Sequence, residues 1–374
     1  MVFRQFKLIA LGLVIIPSLG AQDIQFQSNN RLILGIEKER SASVAVGDID
    51  GDGDSDVIIA NGRHWPGQNR ILVNDGRGIF TVSRPLGINM ATSYAAELAD
   101  LDNDGDLDVA VGNDMAPNQV FLNDGVGNFT NSGTFGVAYA PTRNITIADI
   151  DQDGDADILI TNRGRQNEIC LNDGSGDFKT SISFGTKDDS TIAVEAADMN
   201  GDGHPDLILA NRDKQQNYVY LNDGALNFEV KIPFGTGIDN TRSVAVDDFN
   251  NDGIPDIATA NIGETNMIYF GSKDGSYGQS FVFDGSLSRS YAIAVGDFNN
   301  DGLADIVIGN SREINQVFIN RNKGMEWQSI DLSKKTFNTY DIIVGDLNLD
   351  GRKDIIEGNS DELNYYYFNR MPKD

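Results

Sequence analysis

The chain has 374 residues and carries 56 Asp and Glu against 29 Lys and Arg, a formal net charge of −27. That balance repels nucleic acid and excludes it as a partner. Two histidines and one cysteine exclude an intramolecular disulfide and leave a catalytic zinc site without support.

In chain order, residues 1–21 read first, as an export signal: Arg4 and Lys7, an apolar stretch from Leu8 to Ile16, then small residues at Ser18, Gly20 and Ala21. The apolar run is too short to span a bilayer, and no lipid-anchor cysteine follows. The expected location is the periplasm, medium or cell surface of a bacterium, without membrane insertion. Residues 22–374 contain no linker or low-complexity tail, so one domain is expected, as a monomer.

An acidic nonapeptide then returns seven times. It reads DIDGDGDSD at Asp48–Asp56, DLDNDGDLD at Asp100–Asp108, DIDQDGDAD at Asp149–Asp157, DMNGDGHPD at Asp198–Asp206, DFNNDGIPD at Asp248–Asp256, DFNNDGLAD at Asp297–Asp305 and DLNLDGRKD at Asp346–Asp354. The period, 49 to 52 residues, is that of a propeller or a stacked array.

The loop has the donor pattern of a hard-cation site. Calcium takes about six to eight oxygens, and alternate residues of a tight loop supply them. Positions 1, 3, 5 and 9 are Asp48, Asp50, Asp52 and Asp56; Asp100, Asp102, Asp104 and Asp108; Asp149, Asp151, Asp153 and Asp157; Asp198, Asn200, Asp202 and Asp206; Asp248, Asn250, Asp252 and Asp256; Asp297, Asn299, Asp301 and Asp305; Asp346, Asn348, Asp350 and Asp354. Glycine at position 6 allows the sharp turn. Position 7 offers a backbone carbonyl, which tolerates His204, Ile254 or Arg352. Carboxylates this close repel one another unless a cation sits between them. Up to seven Ca2+ are expected, and they would cancel about half of the net charge. An EF-hand is excluded, because it needs a bidentate Glu at position 12 and flanking helices. Here six of the seven loops have Ile, Val, Leu or Thr at that position, and the flanks are short apolar strands.

Each unit shows four strand signals. In unit 2 they are Ala95–Ala99, Asp108–Gly112, Gln119–Asn123 and a run starting at Phe129, with Asn-Asp-Gly as the hairpin turn between the last two. Seven such units predict an all-β fold, a seven-bladed β-propeller of four-stranded blades. The last unit stops after its third strand, Tyr365–Phe368. Phe26 stands 22 residues before Asp48, near the place where Phe80, Phe129 and Phe178 open the outer strands of other units. The N-terminal strand is therefore expected to complete blade 7 and remove two open sheet edges. The repeat resembles the FG-GAP/VCBS repeats of bacterial surface proteins and the calcium blades of integrin alpha subunits. The literal FG and GAP phrases of integrins are absent, so integrin-type partners do not follow.

Strand order puts the metal and Asn-Asp-Gly loops on one face, and the second–third loops and unit connections on the other. Nine of the 17 arginines fall on the second face: Arg40, Arg63, Arg143, Arg163, Arg165, Arg212, Arg242, Arg289 and Arg312. Their planar forks suit carboxylates and sulfates. Features present in every unit are architecture: the Ser/Thr seven positions before each first Asp, the Asn that ends each second strand, and the Asn before each third strand. Function belongs to the departures. The second–third loop of unit 1, Asn61 to Asn69, is expanded and holds His64 and Trp65. One rim position varies as Ala42, Tyr94, Arg143, Ile192, Arg242, Tyr291 and Tyr340. Glu97 and Glu195 replace small residues on first strands, either as buried acids with a role or, the favoured expectation, as partners of a nearby Arg. Cys170 aligns with Leu72, Phe121 and Tyr220 and reads as a buried hydrophobe.

Two functions fit. The first is β-elimination on an acidic, uronate-containing or sulfated saccharide, by a carbon–oxygen lyase: a polysaccharide lyase or an oligosaccharide dehydratase. Elimination needs cations on the carboxylate, a base for the C5 proton and an acid for the C4 oxygen. His64, Tyr94 and Arg143 are the candidate catalytic residues. Arg63, Trp65, Arg163, Arg242, Arg289, Tyr291 and Tyr340 are the candidate substrate-binding residues. The residue kit is similar in type to that of propeller polysaccharide lyases and sugar dehydratases. The alternative is a non-catalytic module that binds a glycan or protein through the same face.

Overall fold

The computed structural model describes residues 24–370, and the export signal expected over 1–21 lies outside them. All regular structure among the described residues is β. The pattern is legible in unit 2: Ser93–Ala99, Asp108–Asn113, Asn118–Asn123 and Phe129–Phe135 pair antiparallel in sequence order. The second strand is buried along its whole length, which suits its near-continuous apolar sequence. The fourth is mostly exposed and reads as an outer edge. Units 3, 4 and 5 repeat this four-stranded sheet. Units 1, 6 and 7 share one 11-stranded sheet, because Ile33–Gly47 pairs with Asp354–Arg370 and Asp305–Glu313 pairs with Phe337–Gly345.

The short strand Gln25–Gln27 lies antiparallel on the end of Asp354–Arg370, with Phe26 opposite Asn369. First strands pack side by side in chain order, and Phe337–Gly345 of unit 7 packs on Ile33–Gly47 of unit 1. Seven apolar clusters lie between consecutive units. One joins Ala45, Ile58 and Ile71 to Ala96, Val109 and Phe121; another joins Val44, Val57 and Leu72 to Leu347, Ile356 and Tyr366. Cys170 is buried in the cluster between units 2 and 3.

Recurrent polar residues tie units together. Asn123 Nδ2 donates to the Ile49 carbonyl of the preceding metal loop at 2.8 Å, and Asn74 donates to Leu347 at 2.9 Å. Unit 5 has Gly271 at this position and lacks the tie. At the other end of the sheet, Asn69 donates to Ser93 of the next unit at 3.0 Å, and Asn364 donates to Ser41 at 2.9 Å. These bonds satisfy polar groups that would otherwise be buried unpaired.

Candidate functional site

Two sites form on opposite faces. On the first, each ninth aspartate is fully buried between strands. Asp108 accepts the Leu101 N–H at 2.9 Å and the Asn123 N–H at 2.8 Å, and Asp56, Asp157, Asp206, Asp305 and Asp354 do the same in their units. These residues are thus structural as well as candidate ligands. The first aspartate accepts loop N–H groups; Asp48 takes those of Gly51 and Gly53 at 2.8 and 2.9 Å.

Three groups bring carboxylate oxygens within 4.8 Å of one another: Asp48, Asp50 and Asp56; Asp100, Asp102 and Asp108; Asp149, Asp151 and Asp157. They are candidate metal centres. Oδ1 of Asp50, Asp102 and Asp149 is buried with no hydrogen-bond partner, as an oxygen reserved for a cation would be. Burial, then the neighbouring Asp52, pushes Asp54 up to about 6. Burial likewise pushes Asp56 and Asp108 up to about 6, against their backbone hydrogen bonds. A divalent ion would reverse that cost. Asp54 is 4% exposed and its Oδ1 also lacks a partner, but its carboxylate stands outside the group formed by Asp48, Asp50 and Asp56.

On the opposite face a cavity of about 290 Å3 opens among the first strands. The expanded loop of unit 1 meets it through His64, which bonds Tyr94 of the lining. Trp65 N–H donates to the Gly62 carbonyl at 2.9 Å, and Gly67 forms a bridge with Ala91 of unit 2. Gly62 has φ +121°, and a Cβ there would stand 2.2 Å from the Ala91 carbonyl, so only glycine fits. His64 itself has φ +67°, a conformation uncommon outside glycine that persists where the surroundings hold it.

That geometry presses His64 onto Tyr94, with Nδ1 to Oη at 2.7 Å. Arg63 Nη1 donates to His64 Nε2 at 3.2 Å. A guanidinium only donates, so Nε2 accepts and Nδ1–H donates to the phenol oxygen. The ring is neutral in this arrangement. Burial, then the Arg63 and Arg143 charges, holds its pKa below the ordinary histidine value. The phenol proton of Tyr94 remains available toward the cavity. Burial raises the Tyr94 pKa, and the Arg143 guanidinium, 4.5 Å over its ring, opposes that rise.

The remaining candidates separate into two groups. Arg143 is ion-paired with Asp114 at 2.8 Å, and Arg163 with Asp213 at 3.4 Å. Arg163 is 45% exposed on the rim, and Trp65 is 65% exposed with Arg40 at 5.9 Å from its ring. By contrast, Arg63, Arg242 and Arg289 have no carboxylate within ion-pairing distance among the described residues. All three converge on the tilted pair Tyr291 and Tyr340, whose ring centroids are 4.9 Å apart. Arg63 lies 3.7 Å over Tyr340 and bonds its hydroxyl, Arg242 is 5.9 Å from Tyr291, and Arg289 donates to the Tyr291 hydroxyl at 2.8 Å.

Deeper in the cavity stand Glu97, Glu195 and Asp341. The expected pairing of Glu97 and Glu195 with arginine is not found: neither makes an ion pair among the described residues. The first strands bring the acids toward one another, and Arg143 and Arg242 line the same cavity without pairing with either glutamate. Burial, then Asp341 and Glu195, drives Glu97 well above the usual carboxylate range, and burial pushes Glu195 up to about 7. Asp341 and Asp114 were missed by the sequence reading. Asp341 stands where the other units have Ser43, Ala95, Asn144, Ala193, Ser243 and Ala292, a departure of the same kind as Glu97. Its Oδ2 accepts the Val44 N–H at 2.9 Å across the unit 7–unit 1 contact.

The sequence matches the family described as FG-GAP-like repeat over 48–111, 100–160, 149–209, 198–259, 248–308 and 297–357. No curated protein matches. Among solved structures, the chain is similar to BBS1N from its complex with ARL6DN, at TM-score 0.63 and 12% identity, covering 94% of this chain and 97% of that one. It is similar to the WD40 β-propeller domain of Doa1, at TM-score 0.61 and 13% identity, with 92% and 97% covered. It is also similar to the WD40 domain of Toxoplasma gondii coronin, at TM-score 0.64 and 10% identity, with 94% and 88% covered. At these identities the likeness is one of fold: a β-propeller.

Proposed function

Since the chain belongs to the FG-GAP-like repeat family, we propose that its units close into a seven-bladed propeller, stabilised by calcium in the acidic loops and exported from the cell. It acts on acidic saccharides at the arginine-rich mouth, by β-elimination. Closure is supported by the ties from Asn74 to Leu347 and from Asn364 to Ser41. The ion would be held by the first, third, fifth and ninth loop residues, and it supplies cross-linking charge rather than chemistry.

The observation that carries the functional reading is the hydrogen-bonded His64–Tyr94 pair beside three guanidiniums that make no ion pair among the described residues. A guanidinium–carboxylate ion pair is stronger than the bonds the charged Arg63 makes to the neutral His64 and Tyr340. A uronate docking on Arg63, Arg242 and Arg289 thus draws Arg63 away and frees the Nε2 lone pair. Nε2 takes the C5 proton, the C–H electrons form the C4–C5 double bond, and the C4–O bond breaks. Tyr94 gives its phenol proton to the departing oxygen and is reprotonated from His64 Nδ1. Each proton is accounted for: His64 ends neutral with its proton on Nε2, and exchange with solvent returns it to the starting Nδ1–H tautomer. Arg143, already neutralised by Asp114, steadies the phenolate from over the ring.

The test is binding of oligouronates and of their methyl esters to the calcium-loaded protein. The acids are expected to bind and the esters to lose at least tenfold. Arg242→Gln and Arg289→Gln should weaken acid binding and Arg163→Gln should not. Equal affinity for acids and esters refutes the carboxylate subsite. Affinity without turnover for any acidic glycan favours the binding module.

A further inference from the structure

Loop 7 departs from the other six. Asp350, its fifth residue, is paired through Oδ1 with Arg352 Nε at 3.6 Å and through Oδ2 with Arg370 Nη1 at 3.1 Å, and its side chain is only 20% exposed. No ligand-position carboxylate of loops 1–6 has a Lys or Arg within ion-pairing distance among the described residues. Asn348 Nδ2 donates to Asp354 Oδ2 at 3.2 Å, and Asp346 accepts the Asp350 and Gly351 N–H groups at 3.1 and 2.8 Å. The oxygen left without a partner, Asn348 Oδ1, is a neutral amide.

Loop 1 is the opposite case. Its five aspartates, Asp48, Asp50, Asp52, Asp54 and Asp56, have no paired cation among the described residues, and Asp50 and Asp54 each keep a buried, unpartnered oxygen. Loops 2 and 3 share its five-aspartate composition and its three-carboxylate convergence. Loop 7 has three aspartates and two guanidiniums. A divalent ion entering there must displace both guanidiniums from a partly buried carboxylate, and breaking such a pair is costly. Arg370 also sits at the seam: it is the register partner of Gln25, where the two ends of the described chain meet.

We propose that loop 7 carries its own cation, with the guanidiniums of Arg352 and Arg370 standing in for the ion. Metal binding is confined to loops 1–6 and is tightest in loops 1–3. The blade at which the two ends of the described chain meet thereby keeps its loop folded without metal. This rests on the calcium reading of the other loops.

The experiment is ion counting by native mass spectrometry of the full chain titrated with calcium chloride, with thermal melts as the folding control. At most six ions are expected. Asp52→Asn should lose one, Asp350→Asn should lose none, and the double variant Arg352→Ala, Arg370→Ala should gain one. If the double variant does not fold, the two aspartate variants decide. An ion lost from Asp350→Asn overturns this proposal alone. No bound ion in the wild type overturns the calcium reading and this proposal with it.

Discussion

Glu195→Gln isolates the electrostatic cost of the cavity. Glu195 sits on Thr191–Ala197, and burial alone moves it from 4.5 to about 7. Its folded value is raised, so the native state holds the proton more tightly than the unfolded chain does. The corresponding stability is complete below the unfolded value and is lost as pH rises through the folded one. Over that window the loss amounts to about 3 kcal/mol. A glutamine is neutral throughout and does not incur it. The assay is denaturant unfolding of wild type and variant, both calcium-saturated, at about pH 5 and about pH 8. The gain of the variant over the wild type should grow by about 2–3 kcal/mol between the two conditions. Titration of the metal loops is common to both proteins and cancels in the difference. A gain that is the same at both pH values refutes the reasoning.

Three other perturbations follow from the geometry. Chelation of calcium should lower the melting temperature strongly, since each site at a hundredfold excess over its dissociation constant contributes about 2.7 kcal/mol; an unchanged melt in EDTA contradicts the metal assignment. Asn123→Ala removes bonds to the Ile49 and Leu107 carbonyls and leaves the first buried and unpaired, so urea unfolding should show a loss of about 2–4 kcal/mol. His64→Ala and Tyr94→Phe should each lower turnover by about 100- to 10,000-fold with little change in affinity; a loss of affinity at constant turnover would place both residues in binding instead.

The repeat made much of this architecture readable in advance. A constant spacing between Asp48 and Asp346 gives period and strand order, and strand order sorts loops between faces without coordinates. The Phe26 spacing located the strand that pairs with Asn369. The repeat also separates scaffold from site, because His64 and Tyr94 stand out only against six other versions of the same unit. Charge state and pairing were less legible. Whether an arginine is free depends on which acid reaches it across a loop, so Arg143 with Asp114 and Arg163 with Asp213 could not be told from Arg242 and Arg289 by position. For Glu97 and Glu195 an arginine partner is favoured over a buried acid with a role, because the sequence shows an isolated acid on an apolar strand. Three dimensions show acids from different first strands lining one cavity. Asp350 looked like any fifth-position ligand, and its guanidinium partners lie two and 20 residues away.

The most direct test of the central claim is the ultraviolet absorbance of acidic polysaccharides and oligosaccharides mixed with the calcium-loaded protein. Elimination creates a conjugated unsaturated uronate, so absorbance should rise with at least one substrate and stay flat with His64→Ala. Mass spectrometry of the product then separates chain cleavage from loss of water. A flat trace across a broad panel, with the protein retained on one of those glycans, contradicts elimination and leaves a binding propeller.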